Sequence, residues 1–184
     1  MEWSIPYIRA MCDPWKYRQQ RWSTDEEALM LHNLTRMYEV KNVVEIGTGY
    51  GFLSVCFAHA GATVQTFDRT DRPKVWTHEN WPWPELNAKI IAKAIPSPEC
   101  FEGLVVPPGR TLFFVDGDHT EAAVEYDIER VEVRMAPGDI MAVHDATGEV
   151  GPRRAWRRFL RSRHENAITD LWETKNGVGI YICE

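Results

Sequence analysis

Asp116, Asp118 and His119 close one apolar run, Phe113 to Val115, and a second acid–imidazole pair, His144-Asp145, closes another, Ile140 to Val143. Carboxylates beside imidazoles can move a proton near neutral pH, because an unperturbed histidine titrates near ~6.5. They can equally act as ligands or as a hydrogen-bonded pair. A third stretch, Val43 to Gly51, reads V-V-E-I-G-T-G-Y-G, an apolar strand running into a glycine turn. Gly47, Gly49 and Gly51 let backbone approach a ligand where a Cβ would clash. Together the three stretches predict a nucleotide-like ligand over one end of a parallel sheet, with acidic and imidazole groups beside it.

The glycine spacing narrows the ligand. A loop that cradles pyrophosphate wants its third glycine one position later, where Phe52 stands, so the G-x-G-x-G form disfavours a dinucleotide. Glu45 is an acid on an otherwise apolar strand. Burying its carboxylate costs several kcal/mol without a partner, and an ammonium-bearing ligand would supply one. Asp68, just after the next strand, is placed to accept hydrogen bonds from ribose hydroxyls; the alternative is a solvated loop aspartate. His119 suits a proton acceptor, the alternative being that it caps the following helix, and Asp118 suits a backbone cap at the same helix start.

The elements that must position these residues follow from changes in apolar period. Ser23-Thr24-Asp25-Glu26 reads as a capping box ahead of Ala28, Leu29, Leu31, Leu34 and Met37 at helical spacing. Strands are expected over Asn42 to Ile46, Ala62 to Phe67, Lys89 to Ile91, Thr111 to Val115 and Ile140 to Val143. Helices are expected over Phe52 to His59, Glu121 to Met135 and Arg153 to Arg163, the second stopped by Pro137-Gly138. Ala167 to Thr174 and Gly177 to Cys183 form a hairpin turned at Lys175-Asn176-Gly177. Residues 69–86, with Trp76, Trp81 and Trp83 among prolines, receive no helix and read as packing surface or lid. This alternation predicts a doubly wound α/β sheet, mostly parallel, closed by the antiparallel hairpin.

The chain of 184 residues fits one domain, 1–184, with an N-terminal helical cover over 1–41 and a ligand-binding sheet over 42–184. A net charge of −6 argues against nucleic acid phosphates and anionic membrane surfaces as partners. No apolar run approaches the ~20 residues needed to cross a bilayer, and Met1 to Ile8 does not read as a secretory leader. Cys12, Cys56, Cys100 and Cys183 are scattered, as expected of reduced thiols in a cytoplasmic protein.

The stretch Glu45-Ile46-Gly47-Thr48-Gly49-Tyr50-Gly51 resembles motif I of the class I S-adenosylmethionine-dependent methyltransferases, and Asp68 matches that family's ribose-binding acid. The resemblance spans roughly Ser23 to Asp145. Within it, T-D-E-E-A, V-V-E-I-G-T-G-Y-G and F-F-V-D-G-D-H are similar to the small O-methyltransferases of the catechol and caffeoyl-coenzyme A type. The D-G-D-H strand end with a later H-D is closer still to the macrocin O-methyltransferase and cephalosporin hydroxylase-like group. The resemblance implies a seven-stranded Rossmann-like sheet and a cofactor site of Glu45, Gly47, Thr48, Gly49, Tyr50, Gly51, Asp68 and Asp116. It implies a divalent cation, magnesium or manganese, held by Asp116, His144 and Asp145, with His144 standing where a carboxylate or amide is usual. His119 occupies the place of that family's lysine base, which makes His119 and Asp116 the catalytic candidates. The acceptor implied is a hydroxylated small molecule; the large apolar groups of residues 69–86 leave open packing onto the core or onto a second subunit, as in a homodimer. Trp15, Tyr17 and Trp22 lie where such enzymes cover the acceptor.

Three other readings stand beside it. A nucleic-acid-directed methyltransferase carries Pro-Pro and an aromatic at the end of its fourth strand, whereas this strand ends V-D-G-D-H. Its best support is the basic run Arg153, Arg154, Arg157, Arg158, Arg161 and Arg163, whose spacing also suits a solvated amphipathic helix. The others are a non-catalytic S-adenosylmethionine-binding or assembly protein and a dinucleotide oxidoreductase.

Overall fold

The computed structural model describes residues 23–49, 51–69, 84–162, 168–172 and 174–184. Tyr50, the N-terminal aromatics and the tryptophans of 70–83 lie outside the described residues. Helix α1 spans Asp25–Met37, and its capping box is one residue later than the sequence suggested. Thr24 accepts from the Glu27 amide while the Glu27 carboxylate accepts from the Thr24 amide. Both Ser23/Glu26 and Thr24/Glu27 satisfy the spacing. The choice is made by burial, since Glu27 is buried and Glu26 is exposed.

Strands β1 (Asn42–Ile46), β2 (Thr63–Phe67), β3 (Ile90–Lys93), β4 (Thr111–Val115), β5 (Ile140–His144), β6 (Ile168–Trp172) and β7 (Val178–Ile182) form one sheet in the order β3-β2-β1-β4-β5-β7-β6. The first five pair in parallel; β7 runs antiparallel to β5 and β6, which gives the expected C-terminal hairpin. Strands β1, β4 and β5 are buried along their whole length because helices cover both faces. On one face Leu31 and Leu34 of α1 and Val55 and Phe57 of α2 (Phe52–Ala60) pack with Phe114; on the other, Val124 and Ile128 of the helix after β4 and Trp156 and Phe159 of the helix after β5 pack with Phe113 and Met141.

Helix α3 is a single turn, Pro84–Asn87. Helix α4, Glu121–Glu132, starts at a Thr120 cap and ends a turn before the expected Met135. Helix α5, Val150–Arg161, starts a turn before the expected Arg153, which places Pro152 in the first turn, where its missing N–H leaves nothing unpaired. Gly151 is required there, because a Cβ would lie 2.0 Å from the His119 carbonyl oxygen. The close approach of α5 to residues 119–121 sets where His119 sits. The basic face of α5 turns to α4, with Arg154 and Arg158 pairing with Glu121 and Arg158 also with Glu125.

Strand register fixes the rest. Ile46 pairs with Val115, and Val115 with Val143, so the chain leaves β1, β4 and β5 at one level. Gly47, Asp116 and His144 therefore emerge side by side at the carboxyl edge, where ligands bind in open α/β sheets.

Candidate active site

A cleft of about 710 Å³ opens at this edge, lined by Gly47, Gly49, Asp68, Asp116, His119 and Asp145 among others. Its two ends differ in construction.

At the β1–β2 end, local chain geometry dominates. Gly47 (φ 98°) is pressed against the neighbouring strand, and a Cβ on it would meet the Asp116 carbonyl oxygen at 1.9 Å. The amides of Gly47 and Thr48 donate to the Phe67 carbonyl at 2.8 and 3.1 Å. Asp68 accepts from the Gly49 amide at 2.7 Å through one oxygen and from the Arg69 amide at 2.7 Å through the other. Each oxygen retains acceptor capacity toward the cleft. Thr48 is buried, its hydroxyl bonded to that of Thr66 at 2.6 Å, and Gly51 opens α2, so neither lines the cleft.

Glu45 has a different partner from the one its sequence context suggested. It is fully buried and outside the cleft lining, and the Ser54 hydroxyl donates to it. Burial pushes its carboxyl up to about 8, against the pull of the Ser54 and Thr66 hydroxyls. A neutral acid so bonded does not need a cationic ligand.

At the β4–β5 end, charged side chains from separate elements converge. Asp116 Oδ1 stands 3.2 Å from His144 Nδ1 and 3.3 Å from His119 Nε2. Asp145 Oδ2 lies 3.3 Å from His144 Nδ1 and 3.5 Å from His119 Nδ1, and Glu149 Oε2 lies 3.0 Å from the latter. Asp145 adopts left-handed backbone (φ 56°), which an aspartate tolerates better than most residues and which turns its carboxylate back toward the strand ends. Burial alone would raise Asp116, but the imidazoles of His144 and His119 outweigh it and hold the carboxyl below its usual range. The hydrogen bond to Asp116, against burial and aided by Asp145 and Glu149, pushes His119 up to about 9. The sequence argument took an ordinary histidine pKa for this residue; three surrounding carboxylates make it an imidazolium at neutral pH instead. His119 is not a helix cap. Asp118 accepts from the Thr120 amide at 2.7 Å, and Thr120 caps α4.

One ligand atom each from Asp116, His144 and Asp145 lie within 4.8 Å of one another. His144 is buried, and its Nδ1 has no hydrogen-bond partner although two carboxylate oxygens face it. A buried nitrogen aimed between carboxylates with no bond of its own fits a donor set for a divalent cation.

Two acids in this region were not singled out from sequence. Glu27 reaches His144 from α1, and Glu149 reaches His119 from the start of α5. The capping-box spacing was the signal for Glu27, had the inward position of Glu27 beside Ala28 been weighed against that of Glu26. Glu149 carries no sequence signal of this kind.

The sequence matches a family described as a methyltransferase domain over residues 44–146, more than half of the chain. No curated protein matches it by sequence. Among solved structures, an O-methyltransferase from Bacillus cereus in complex with SAH superposes with a TM-score of 0.76 at 15% identity, covering 98% of this chain and 90% of that one. The O-methyltransferase TomG from Streptomyces achromogenes, involved in tomaymycin synthesis and in complex with SAM, gives 0.74 at 16%, covering 100% and 91%. A methyltransferase from Geobacter sulfurreducens gives 0.73 at 19%, covering 100% and 93%. At these identities the likeness is one of fold.

Proposed function

Given that this chain belongs to the class I S-adenosylmethionine-dependent methyltransferases, we propose that it methylates an oxygen of a hydroxylated small molecule with the help of a divalent cation. The observation that carries the reading is the cluster of Asp116, His144 and Asp145 on the same cleft as Asp68 and the glycine loop. Asp68 accepts from the ribose hydroxyls of the donor, and Gly47 and Gly49 leave room for its backbone-side approach. Asp116, His144 and Asp145 would hold magnesium or manganese. A cation held there would supply Lewis acidity toward the acceptor hydroxyl and would offset the carboxylates' hold on the His119 proton. Once His119 has given up its own proton to solvent, it takes the acceptor's hydroxyl proton as the oxygen attacks the sulfonium methyl; a C–O bond forms, the S–CH3 bond breaks, and S-adenosylhomocysteine and a protonated His119 remain. Asp145 and Glu149 orient the imidazole.

A net charge of −6 and buried thiols at Cys56 and Cys100 accord with cytoplasmic work on a small acceptor. The test is calorimetry with S-adenosylhomocysteine, with and without manganese, followed by methyl transfer to a panel of catechols and other phenols. We expect both ligands to bind and transfer to cease on chelation and in His119→Ala. Transfer undiminished by exhaustive chelation would remove the cation from the reaction.

A further inference from the structure

Glu27 is fully buried in a chain region remote from β5, yet it accepts hydrogen bonds from four groups besides the His144 imidazole. Its Oε1 accepts from the Thr174 hydroxyl at 2.6 Å and the Asn176 amide at 3.2 Å. Its Oε2 accepts from the Thr24 amide at 2.7 Å, from Asn176 Nδ2 at 3.2 Å and from His144 Nε2 at 3.2 Å. The amide N–H groups of Thr24 and Asn176 can only donate, so the carboxylate is ionised and serves purely as an acceptor. It follows that His144 Nε2 carries a proton. In the neutral ring the remaining nitrogen, Nδ1, then presents a lone pair, and that lone pair faces Asp116 Oδ1 and Asp145 Oδ2 at 3.2 and 3.3 Å. Three electron-rich atoms turned toward one another repel unless a positive charge lies among them, a proton on Nδ1 or, in its place, a cation.

We propose that Glu27 is the positioning residue that locks the His144 imidazole with its proton on Nε2, so that Nδ1 is aimed at a cation held with Asp116 and Asp145. The inference rests on the cation reading above and adds a residue that does not touch the reacting atoms. It also has a structural corollary. The same carboxylate caps α1 and ties the β6–β7 turn at Thr174 and Asn176, so three segments distant in sequence meet at one acceptor. The cation site is therefore complete only when α1 is docked on the hairpin turn, and cation binding stabilises that docking.

The test uses manganese uptake by the full chain, followed by electron paramagnetic resonance, with S-adenosylhomocysteine titration as a check on fold and cofactor site. In Glu27→Gln an amide must face five donors with one oxygen, so the imidazole loses its fixed acceptor. We expect manganese affinity to fall ~10–100-fold, as for other partners of ligating histidines, with S-adenosylhomocysteine affinity changed less than about twofold. A variant that binds manganese as tightly as wild type overturns the role of Glu27 and leaves the cation reading intact. Wild type that takes up no manganese overturns both. Should Glu27→Gln fail to fold, nitrogen-15 NMR of the magnesium-loaded wild type decides: a protonated Nε2 and an unprotonated Nδ1 on His144 are expected, and the reverse refutes the assignment.

Discussion

The two ends of the cleft are built in opposite ways. At the β1–β2 end, residues 47–49 and 68–69 form the wall through backbone conformation and short-range hydrogen bonds, and a single carboxylate, Asp68, clamps the loop. At the β4–β5 end, Glu27, Asp116, His119, His144, Asp145 and Glu149 come from α1, two strand ends and the approach to α5, and hold one another by charge. The first end is a local motif, so its integrity needs only a turn of the right shape. The second exists only once the whole sheet and α1 are assembled. Binding of the donor and handling of the proton and cation should therefore be separable by mutation, except where the two ends physically meet.

They meet at Gly47. Its φ of 98° and the 1.9 Å that would separate a Cβ from the Asp116 carbonyl make Gly47→Ala the change with the largest expected effect. Relief needs β1 and β4 to move apart at their carboxyl ends, and we expect a loss of at least ~3 kcal/mol together with loss of both ligands. Thermal unfolding and the two titrations check it. A stable variant that binds the donor normally would mean that the junction tolerates movement and the ends are less rigidly joined than the geometry indicates.

A pair of substitutions tests separability directly. Asp68→Asn removes a charge from the nucleoside side and Asp145→Asn one from the cation side, while asparagine keeps the shape and tolerates the left-handed backbone at residue 145. Each lost charged contact should cost about 1.5–3 kcal/mol in its own ligand. Asp68→Asn should weaken S-adenosylhomocysteine and spare manganese; Asp145→Asn should do the reverse. Equal loss of both ligands in either variant would show that the two ends form one cooperative unit.

That difference in construction also explains what could be read in the sequence. The five parallel strands and the hairpin were legible because each is a short, largely apolar run bounded by polar or turn residues, and Val43 to Gly51 carries its turn in its own residues. The convergence of Asp116, His119, His144 and Asp145 was legible because all four end strands that a doubly wound sheet must place side by side. Glu27 was not, since choosing between two capping boxes one residue apart requires knowing which acid points inward, and that depends on the packing of α1 against the hairpin. Glu149 depends on where α5 begins, which Gly151 and the His119 carbonyl decide through tertiary contact. The pKa of His119 was misjudged for the same reason, as two of its three carboxylates lie outside its own segment. Glu45 was rightly read as needing a partner; the sequence did not say that Ser54, nine residues on and in the first turn of α2, would provide it.

Glu45 supplies a smaller effect with a definite sign. Its carboxyl is raised in the folded chain to about 8, above the unfolded value near 4.5. The stabilising contribution is thus complete below about pH 4.5 and is lost as pH rises through about 8, because the native state holds the proton longer than the unfolded chain. Glu45→Gln keeps an acceptor for the Ser54 hydroxyl and removes the titration. Between pH 6 and pH 7, wild type should lose about 1 kcal/mol more stability than the variant in chemical denaturation. Parallel stability profiles would mean that Glu45 is ionised throughout and needs a cation after all.

The smallest effect is expected where the charge run is most conspicuous. Arg154 and Arg158 are about two-thirds exposed and pair with Glu121, Arg158 also with Glu125, so the basic face of α5 is already occupied by acids of α4. Exposed pairs of this kind contribute ~0.2–1 kcal/mol, with salt reducing even that. Replacing both arginines by alanine should therefore shift unfolding by less than about 1 kcal/mol per pair and leave both cleft titrations unchanged. The buried side of the same helix, Trp156 and Phe159, keeps α5 in place without them. A salt-dependent loss of methyl transfer in the double variant, with donor and cation binding intact, would turn this face into a third region of the site, one that meets an anionic acceptor.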